Sequence, residues 1–307
     1  MKIRSKVQTA AAALAVLVTL SACGNAAGAS APGGSPSSND SDIAANVQPD
    51  PAAVKLLPQS YKDKGELTVA MDLHYPPTTF LAADNTTPIG MNPDIARLIA
   101  AKLGLKLRFE NVVFDTIIPG IQANRDDFTV TTMSPTADRL KVLDMINYFK
   151  AGNSIAVPAG NPMKLTNETL CGKNIAVTAG STGQLKRLPA LSEQTCTSKG
   201  QPAINAVTLP NVQEALTQLA SKRVDGILYD TTGLAWAAKQ QPNAFTLLTP
   251  QINVGSSDLT AIGLKKGSAL TPALQSAVQS VLDSPQYKQS LANWGLEAGA
   301  ITDAKLN

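Results

Sequence analysis

Thr131-Thr132-Met133-Ser134-Pro135-Thr136-Ala137-Asp138-Arg139 is the stretch on which the reading of this chain turns. It follows a short apolar run, Phe128-Thr129-Val130, that reads as the end of a strand. Thr131, Thr132 and Ser134 offer three hydroxyls, and Arg139 stands five residues after the last of them. Hydroxyls and a planar guanidinium converging at a strand end can hold a small carboxylate without doing chemistry on it. The competing reading is a Ser/Thr-rich turn that caps a helix. The rest of the chain has to choose between the two.

Working outward, Gly65 to Met71 reads as a first strand, and Asp72 to Pro77 as a loop, because paired prolines end a regular element. Asn92-Pro93-Asp94 opens a helix with Ile95, Leu98, Ile99 and Leu103 on one face, and Gly104 stops it. Leu105 to Asn111 is a second strand, Phe114 to Gln122 a short helix, and Phe128 to Thr132 a third strand. Alternation of this kind predicts an α/β sheet with helices on its faces. The theme then repeats. Asn174 to Val177 is a strand running into Gly180-Ser181-Thr182-Gly183 and a helix. Asn211-Val212-Gln213-Glu214 resembles a capping box, with Ala215, Leu216 and Leu219 facing inward. Val224 to Asp230 is another strand, so that Asp127 corresponds to Asp225 and Thr132 to Asp230. Two similar halves therefore each present polar side chains at a strand's C-terminal end, where ligands bind in open α/β sheets. Lys150 to Ala156 and Gln251 to Thr260 are the expected crossings between them, and Thr271 to Leu296 is expected to be helical.

The N-terminus reads as an export signal. Lys2, Arg4 and Lys6 precede the apolar stretch Ala10 to Leu20, which is too short for a stable membrane span. It ends in Leu20-Ser21-Ala22-Cys23-Gly24, which resembles a bacterial lipoprotein box whose cysteine becomes the lipidated first residue; an ordinary secretory signal is the alternative. Residues 23–48, rich in Ala, Gly, Ser, Pro and Asn, are expected to form a flexible tether. Three of the 26 basic residues lie in the signal, which leaves 23 against 23 acidic ones and a formal charge of zero. With no basic stripe and few aromatics, nucleic-acid binding is set aside. Cys171 and Cys196 remain in an oxidising setting and are read as a disulfide. It would close a loop worth about 3.5 kcal/mol in the chain-entropy treatment. A metal site lacks ligands, since His74 is the only histidine and lies far away in sequence. No cofactor motif is present: Gly180 to Gly183 lacks the Gly-Lys-Ser/Thr ending of a phosphate loop.

Three sequence-distant groups can be weighed together. Arg139 supplies a fork for a carboxylate. Gly180 to Gly183 forms an anion-receptive helix start, and Asp230 at a strand end can accept from an ammonium. A free α-amino acid needs those partners. Tyr75 and Phe114 are loop aromatics suited to an apolar stem. Taken singly, each has a plain structural reading as a helix cap, a turn residue or packing.

Tyr75-Pro76-Pro77, Gly90-Met91-Asn92-Pro93-Asp94-Ile95-Ala96, Phe114-Asp115-Thr116-Ile117-Ile118-Pro119, Thr136-Ala137-Asp138-Arg139, Gly180-Ser181-Thr182 and Trp294-Gly295 occur in that order. Together they resemble the family 3 extracellular solute-binding proteins of amino-acid ABC importers, from about Lys64 to the C-terminus. The Leu170-Cys171-Gly172-Lys173 stretch, Cys196 and the ending Gly299-Ala300-Ile301-Thr302-Asp303 are similar to a lipoprotein branch from high-GC Gram-positive bacteria. The resemblance implies a two-lobe α/β type II periplasmic-binding-protein (Venus-flytrap) fold with two hinge crossings. Its parts would be a signal peptide at 1–22, a tether at 23–48, an N-terminal extension at 49–63, lobe 1 at 64–151 and 254–307, and lobe 2 at 152–253. By position, Arg139, Thr182 and Ser181 match the residues that hold a ligand's α-carboxylate. Asp230 and Thr132 match those that hold its ammonium, and Ser134 a further hydroxyl, with Thr131 beside it. Tyr75 and Phe114 match the aromatic pair around the side chain, and Asp72 a position that meets a cationic side chain. Two departures bear on the ligand: Thr78 stands where many members have an aromatic, and Ser134 is followed by Pro135 rather than a branched residue.

The function so implied is a monomeric receptor without cofactor or enzymatic activity. It would be anchored through Cys23 to the extracellular face of the cell membrane, and would close over a polar or cationic amino acid and deliver it to an ABC permease with its ATPase. The alternatives are a sensor lipoprotein without transport and a dehydratase or lytic transglycosylase on the same fold.

Overall fold

The computed structural model describes residues 43–307. The signal peptide, Cys23 and the tether up to residue 42 lie outside the described residues. Two five-stranded sheets organise the rest, and the chain passes from one to the other and back. The first half lays down β1 (Glu66–Met71), β2 (His74–Tyr75), β3 (Thr79–Leu81), β4 (Pro88–Ile89), β5 (Lys106–Asn111), β6 (Phe128–Met133) and β7 (Leu143–Lys150). The second half contributes β8 (Asn153–Pro158), β9 (Asn174–Thr178), β10 (Asn205–Leu209), β11 (Gly226–Asp230) and β12 (Phe245–Leu247). The chain then returns as β13 (Leu259–Lys265). The sheet orders are β5-β1-β6-β13-β7 and β10-β9-β11-β8-β12, with β2-β3-β4 as a small separate sheet.

The two large sheets are built alike. β1 lies parallel between β5 and β6, and β9 lies parallel between β10 and β11; the strands beyond run antiparallel. The correspondence of Asp127 with Asp225 has a structural meaning. The Asp127 carboxylate accepts from the N–H of Thr68 at 2.7 Å, and the Asp225 carboxylate accepts from the N–H of Asn174 at 2.9 Å. Each aspartate thus ties the start of its own strand to the parallel neighbour. β1 is buried along all but its first residue, as a central parallel strand covered on both faces must be.

Helices close the faces. They are α1 (Pro51–Leu56), α2 (Gln59–Lys64), α3 (Met91–Leu103), α4 (Ile117–Gln122), α5 (Ala137–Leu140), α6 (Leu188–Thr195), α7 (Val212–Ala220), α8 (Thr231–Gln240), α9 (Thr271–Leu282) and α10 (Pro285–Trp294). In α3 the residues expected on one face, Ile95, Leu98, Ile99 and Leu103, are all buried in the larger core, and Gly104 ends the helix in the left-handed conformation. Asn211 caps α7 by accepting from the N–H of Glu214; Ala215 and Leu219 are buried, whereas Leu216 is only partly so. Cys171 and Cys196 form a disulfide that joins the approach to β9 with the end of α6.

Three expectations need correction. The tether does not run to residue 48 as free chain: Ile43, Ala44 and Val47 pack against the core of the first sheet. Beyond it, Ala53 and Leu57 of the N-terminal extension are buried in the same core, where their apolar area is worth more than in water. The Thr271 to Leu296 helix is two helices, broken where Ser284 caps the second by accepting from the N–H of Tyr287. The first crossing is only residues 151–152, because Asn153 already belongs to β8.

Candidate functional site

Where the first sheet's strand ends face those of the second, a cavity of about 40 Å³ lies between the lobes. It is lined by Tyr75, Phe114, Thr131, Thr132, Ser134 and Arg139 from one side and by Ser181, Thr182 and Asp230, among others, from the other. Nine of the ten residues singled out from sequence therefore meet there; Asp72 does not line it. The Asp72 carboxylate is buried, 2.6 Å from His74 Nδ1, and accepts from the N–H of Phe114 at 3.0 Å. Its place is behind the aromatic wall, where burial raises its pKa while His74 opposes the rise.

In the opening stretch the turn reading is met at one residue. Thr136 is the turn residue: it caps α5, its hydroxyl accepting from the N–H of Arg139 at 3.4 Å. That short helix aims the Arg139 side chain back along the strand end. Arg139 is 7% exposed. Its Nη1 donates to the Ser134 carbonyl and its Nη2 to the Gly180 carbonyl, both at 2.9 Å, and its guanidinium lies 5.7 Å from the Phe114 ring centre. Among the described residues no carboxylate pairs with it. Burial alone lowers its pKa to about 10, so it stays charged.

Asp230 ends β11, where Asn153 of β8 is its antiparallel partner and donates to its carboxylate at 2.8 Å. Burial pushes its pKa up to about 6, against the Asn153 hydrogen bond and the more distant charge of Arg187. Among the described residues no cation makes an ion pair with it. The Gly180 to Gly183 loop opens a π-helical turn, Gly183–Arg187, rather than a regular α-helix. Two of its donors are used internally: the Gly180 N–H by the Gln184 side chain and the Ser181 N–H by the Thr178 carbonyl. Gly180 has φ +69°, and a Cβ there would stand 3.1 Å from the Cβ of Asp115 on the facing lobe. The left-handed backbone favours glycine here, and a side chain would crowd the facing lobe.

Sequence reasoning missed Asn153, Thr178, Leu228 and Tyr229, which also line the cavity. The Tyr229 ring stacks on Tyr75 with centroids 5.6 Å apart, while Tyr75 and Phe114 stand tilted at 6.2 Å. Tyr229 was open to discovery as the aromatic next to Asp230. Asn153 was not, because its role comes from strand pairing. Among the described residues no cluster of three or more His, Cys, Asp or Glu side chains is placed to hold a metal ion, and no helix is long and apolar enough to cross a membrane.

Comparison with known proteins bears on this arrangement. The profile of the bacterial extracellular solute-binding proteins, family 3, matches residues 67–297. The arginine-binding protein ArgT of Corynebacterium glutamicum is 26% identical over 262 residues, covering 84% of each chain. The ABC transporter glutamine-binding protein GlnH of Bacillus subtilis is 28% identical over 210 residues, covering 67% of this chain and 72% of its own. Among solved structures, an ancestral arginine-binding protein bound to arginine superposes with a TM-score of 0.66 at 28% identity, covering 75% of this chain and 98% of that one. An ancestral arginine-binding protein bound to glutamine gives a TM-score of 0.66, also at 28% identity, covering 76% of this chain and 99% of that one.

Proposed function

This chain belongs to the family 3 bacterial extracellular solute-binding proteins, and we propose that its two lobes close over one free α-amino acid in the cavity between Arg139 and Asp230. One observation carries the reading. A buried guanidinium with no carboxylate and a desolvated carboxylate with no ammonium face the same small space. An α-amino acid supplies both missing charges on one carbon. Leaving either group unpaired is costly, so the zwitterion gains affinity from both at once.

In this reading Arg139, Ser134, Ser181 and Thr182 hold the carboxylate, Asp230 and Thr132 the ammonium, and Tyr75 and Phe114 the side chain, with Thr131 beside them. Asp72 acts on a cationic side chain only through the aromatic wall. Relatives named for arginine and for glutamine support a polar or cationic ligand. The lobes touch across the cleft: Lys186 meets Asp138 at 2.7 Å and Arg139 meets Gly180. A cavity of about 40 Å³ is too tight for a free amino acid, so loading requires the lobes to part. Because the ligand touches both lobes, binding favours the closed form.

Delivery to an ABC permease and its ATPase, lipid anchoring through Cys23 at the outer membrane face, action as a monomer, and a division into lobes at 64–151 with 254–307 and at 152–253 complete the proposal. Calorimetry over the twenty amino acids tests its centre. Saturable binding of arginine, glutamine or a similar polar amino acid is expected, and no binding by any of the twenty would sink it.

A further inference from the structure

Thr132 has φ +52°. Of the non-glycine residues with positive φ among those described, it is the only β-branched one and the only one inside a strand. Such a residue keeps that conformation only where its surroundings impose it. The ladder does not impose it here. β13 pairs Ala261 with Met133 but Gly263 with Thr129, so the register slips and β6 bulges at this point.

Two buried side chains take the ladder's place. The N–H of Thr132 donates to the Tyr148 hydroxyl at 2.9 Å. A backbone N–H can only donate, so the Tyr148 proton must go elsewhere, and it goes to Asn92 Oδ1 at 2.6 Å. That in turn fixes the amide: Asn92 Nδ2 faces Thr79 Oγ1 at 2.6 Å and Thr132 Oγ1 at 3.0 Å. Asn92 and Tyr148 are both fully buried, and neither lines the cavity. They reach Thr132 from α3 and β7, and Thr132 lines the cavity beside Arg139 and Asp230.

We propose that Asn92 and Tyr148 are positioning residues: through this one-way hydrogen-bond chain they hold Thr132 in the left-handed conformation that sets the ligand-facing edge of β6. The inference rests on the reading of the cleft as an amino-acid site. It makes affinity depend on two side chains that the ligand does not touch.

The test is a double-variant cycle on the purified protein, with L-arginine and L-glutamine as probes. Tyr148→Phe removes one hydroxyl and leaves the Thr132 N–H without its partner. The expected result is an affinity loss of about tenfold or more. In a Thr132→Gly background, where glycine adopts positive φ unaided, the same change should cost less than about twofold. Equal losses in both backgrounds, or no loss in the first, would overturn the proposal, since a general packing defect does not depend on residue 132. If Tyr148→Phe fails to fold, Asn92→Leu, which removes the amide but keeps the volume, serves in the same cycle. If the wild type binds no amino acid at all, the reading of the cleft fails instead. The crystal structure of Tyr148→Phe then decides the positioning role by itself: Thr132 leaving the left-handed region supports it, and Thr132 unmoved refutes it.

Discussion

At Arg139, burial strips most of the water from a guanidinium whose two hydrogen bonds go to neutral carbonyls. Replacing Arg139 with Ala should therefore have opposite effects on the two states. Affinity for the bound amino acid should fall by about 3–5 kcal/mol, as when one partner of a buried pair is removed. The melting temperature of the unliganded protein should hold or rise, because a desolvated unpaired charge is gone. Calorimetry and thermal melts separate the two effects, and an unchanged affinity would refute the carboxylate role. Asp230 gives a pH signature. Its folded pKa of about 6 lies above the ordinary 3.8, so the folded protein holds more protons than the unfolded chain between those values. Stability of the unliganded protein should accordingly decline as pH rises from about 4 to about 6. Ammonium binding needs the ionised form, so affinity should weaken as pH falls below about 6, and Asp230→Asn should flatten that profile. Asp230 was legible in the sequence as an acid at the end of an apolar strand, and Arg139 as a guanidinium closing the hydroxyl-rich stretch that follows one. Asp72 was read as an acid positioned to meet a cationic side chain, not as one already engaged by His74 and Phe114, since that engagement depends on loop geometry.

Among the elements, the second crossing is pinned by a buried arginine. Arg187, at the end of the π-helical turn, is fully buried and donates to the carbonyls of Ile252 and Ser257 and to the Asp258 carboxylate. Gly255 lies between these anchors with φ +78°, and a Cβ there would come within 2.6 Å of the Lys186 carbonyl oxygen. Gly255→Ala should destabilise the fold by about 1–3 kcal/mol through backbone strain, read as a lower denaturant midpoint. The disulfide acts at the far end of α6 from Ser181 and Thr182. Replacing Cys171 and Cys196 with Ser should cost about 2–5 kcal/mol of stability and leave ligand affinity nearly unchanged at temperatures where the protein stays folded. A large loss of affinity would show that the bridge also shapes the cleft. Strands β1, β5, β6, β9 and β11 were readable from their apolar runs, whereas β7, β8, β10, β12 and β13 were not, β8 having been read as part of a crossing. The break at Ser284 was missed because an amphipathic period continues across it, and the π-helical turn because its spacing resembles an ordinary helix start.

Across the whole molecule, the lobes touch both around the cavity and at its periphery. At the cleft mouth, Asp138 pairs with Lys186 of the facing lobe and with Lys141 of its own. Elsewhere Trp236 of α8 lies 6.2 Å from Phe80 and 6.4 Å from Trp294, in centroid distance. These are the only two tryptophans of the chain. If the lobes part and close as proposed, adding ligand should change the intrinsic tryptophan emission, and Trp236→Phe should remove most of that change while keeping saturable binding. An emission change that survives in Trp236→Phe would place the moving contact elsewhere. The exposed Asp138–Lys186 pair is screened by water, so it biases closure without enforcing it.

The sequence by itself determined the alternation of strands and helices, the doubled half, the disulfide partners and nine of the residues around the cavity. These follow from local apolar period, from charged residues at or after strand ends and from an ordered set of short motifs. Only the tertiary structure decided the rest. It packed Ile43 to Leu57 into the core and made Asn153 the partner of Asp230. It also stacked Tyr229 on Tyr75 and tied Thr132 to Asn92 and Tyr148. The reason is physical: each of those contacts joins residues far apart in the chain, through strand register and side-chain packing that no local pattern encodes.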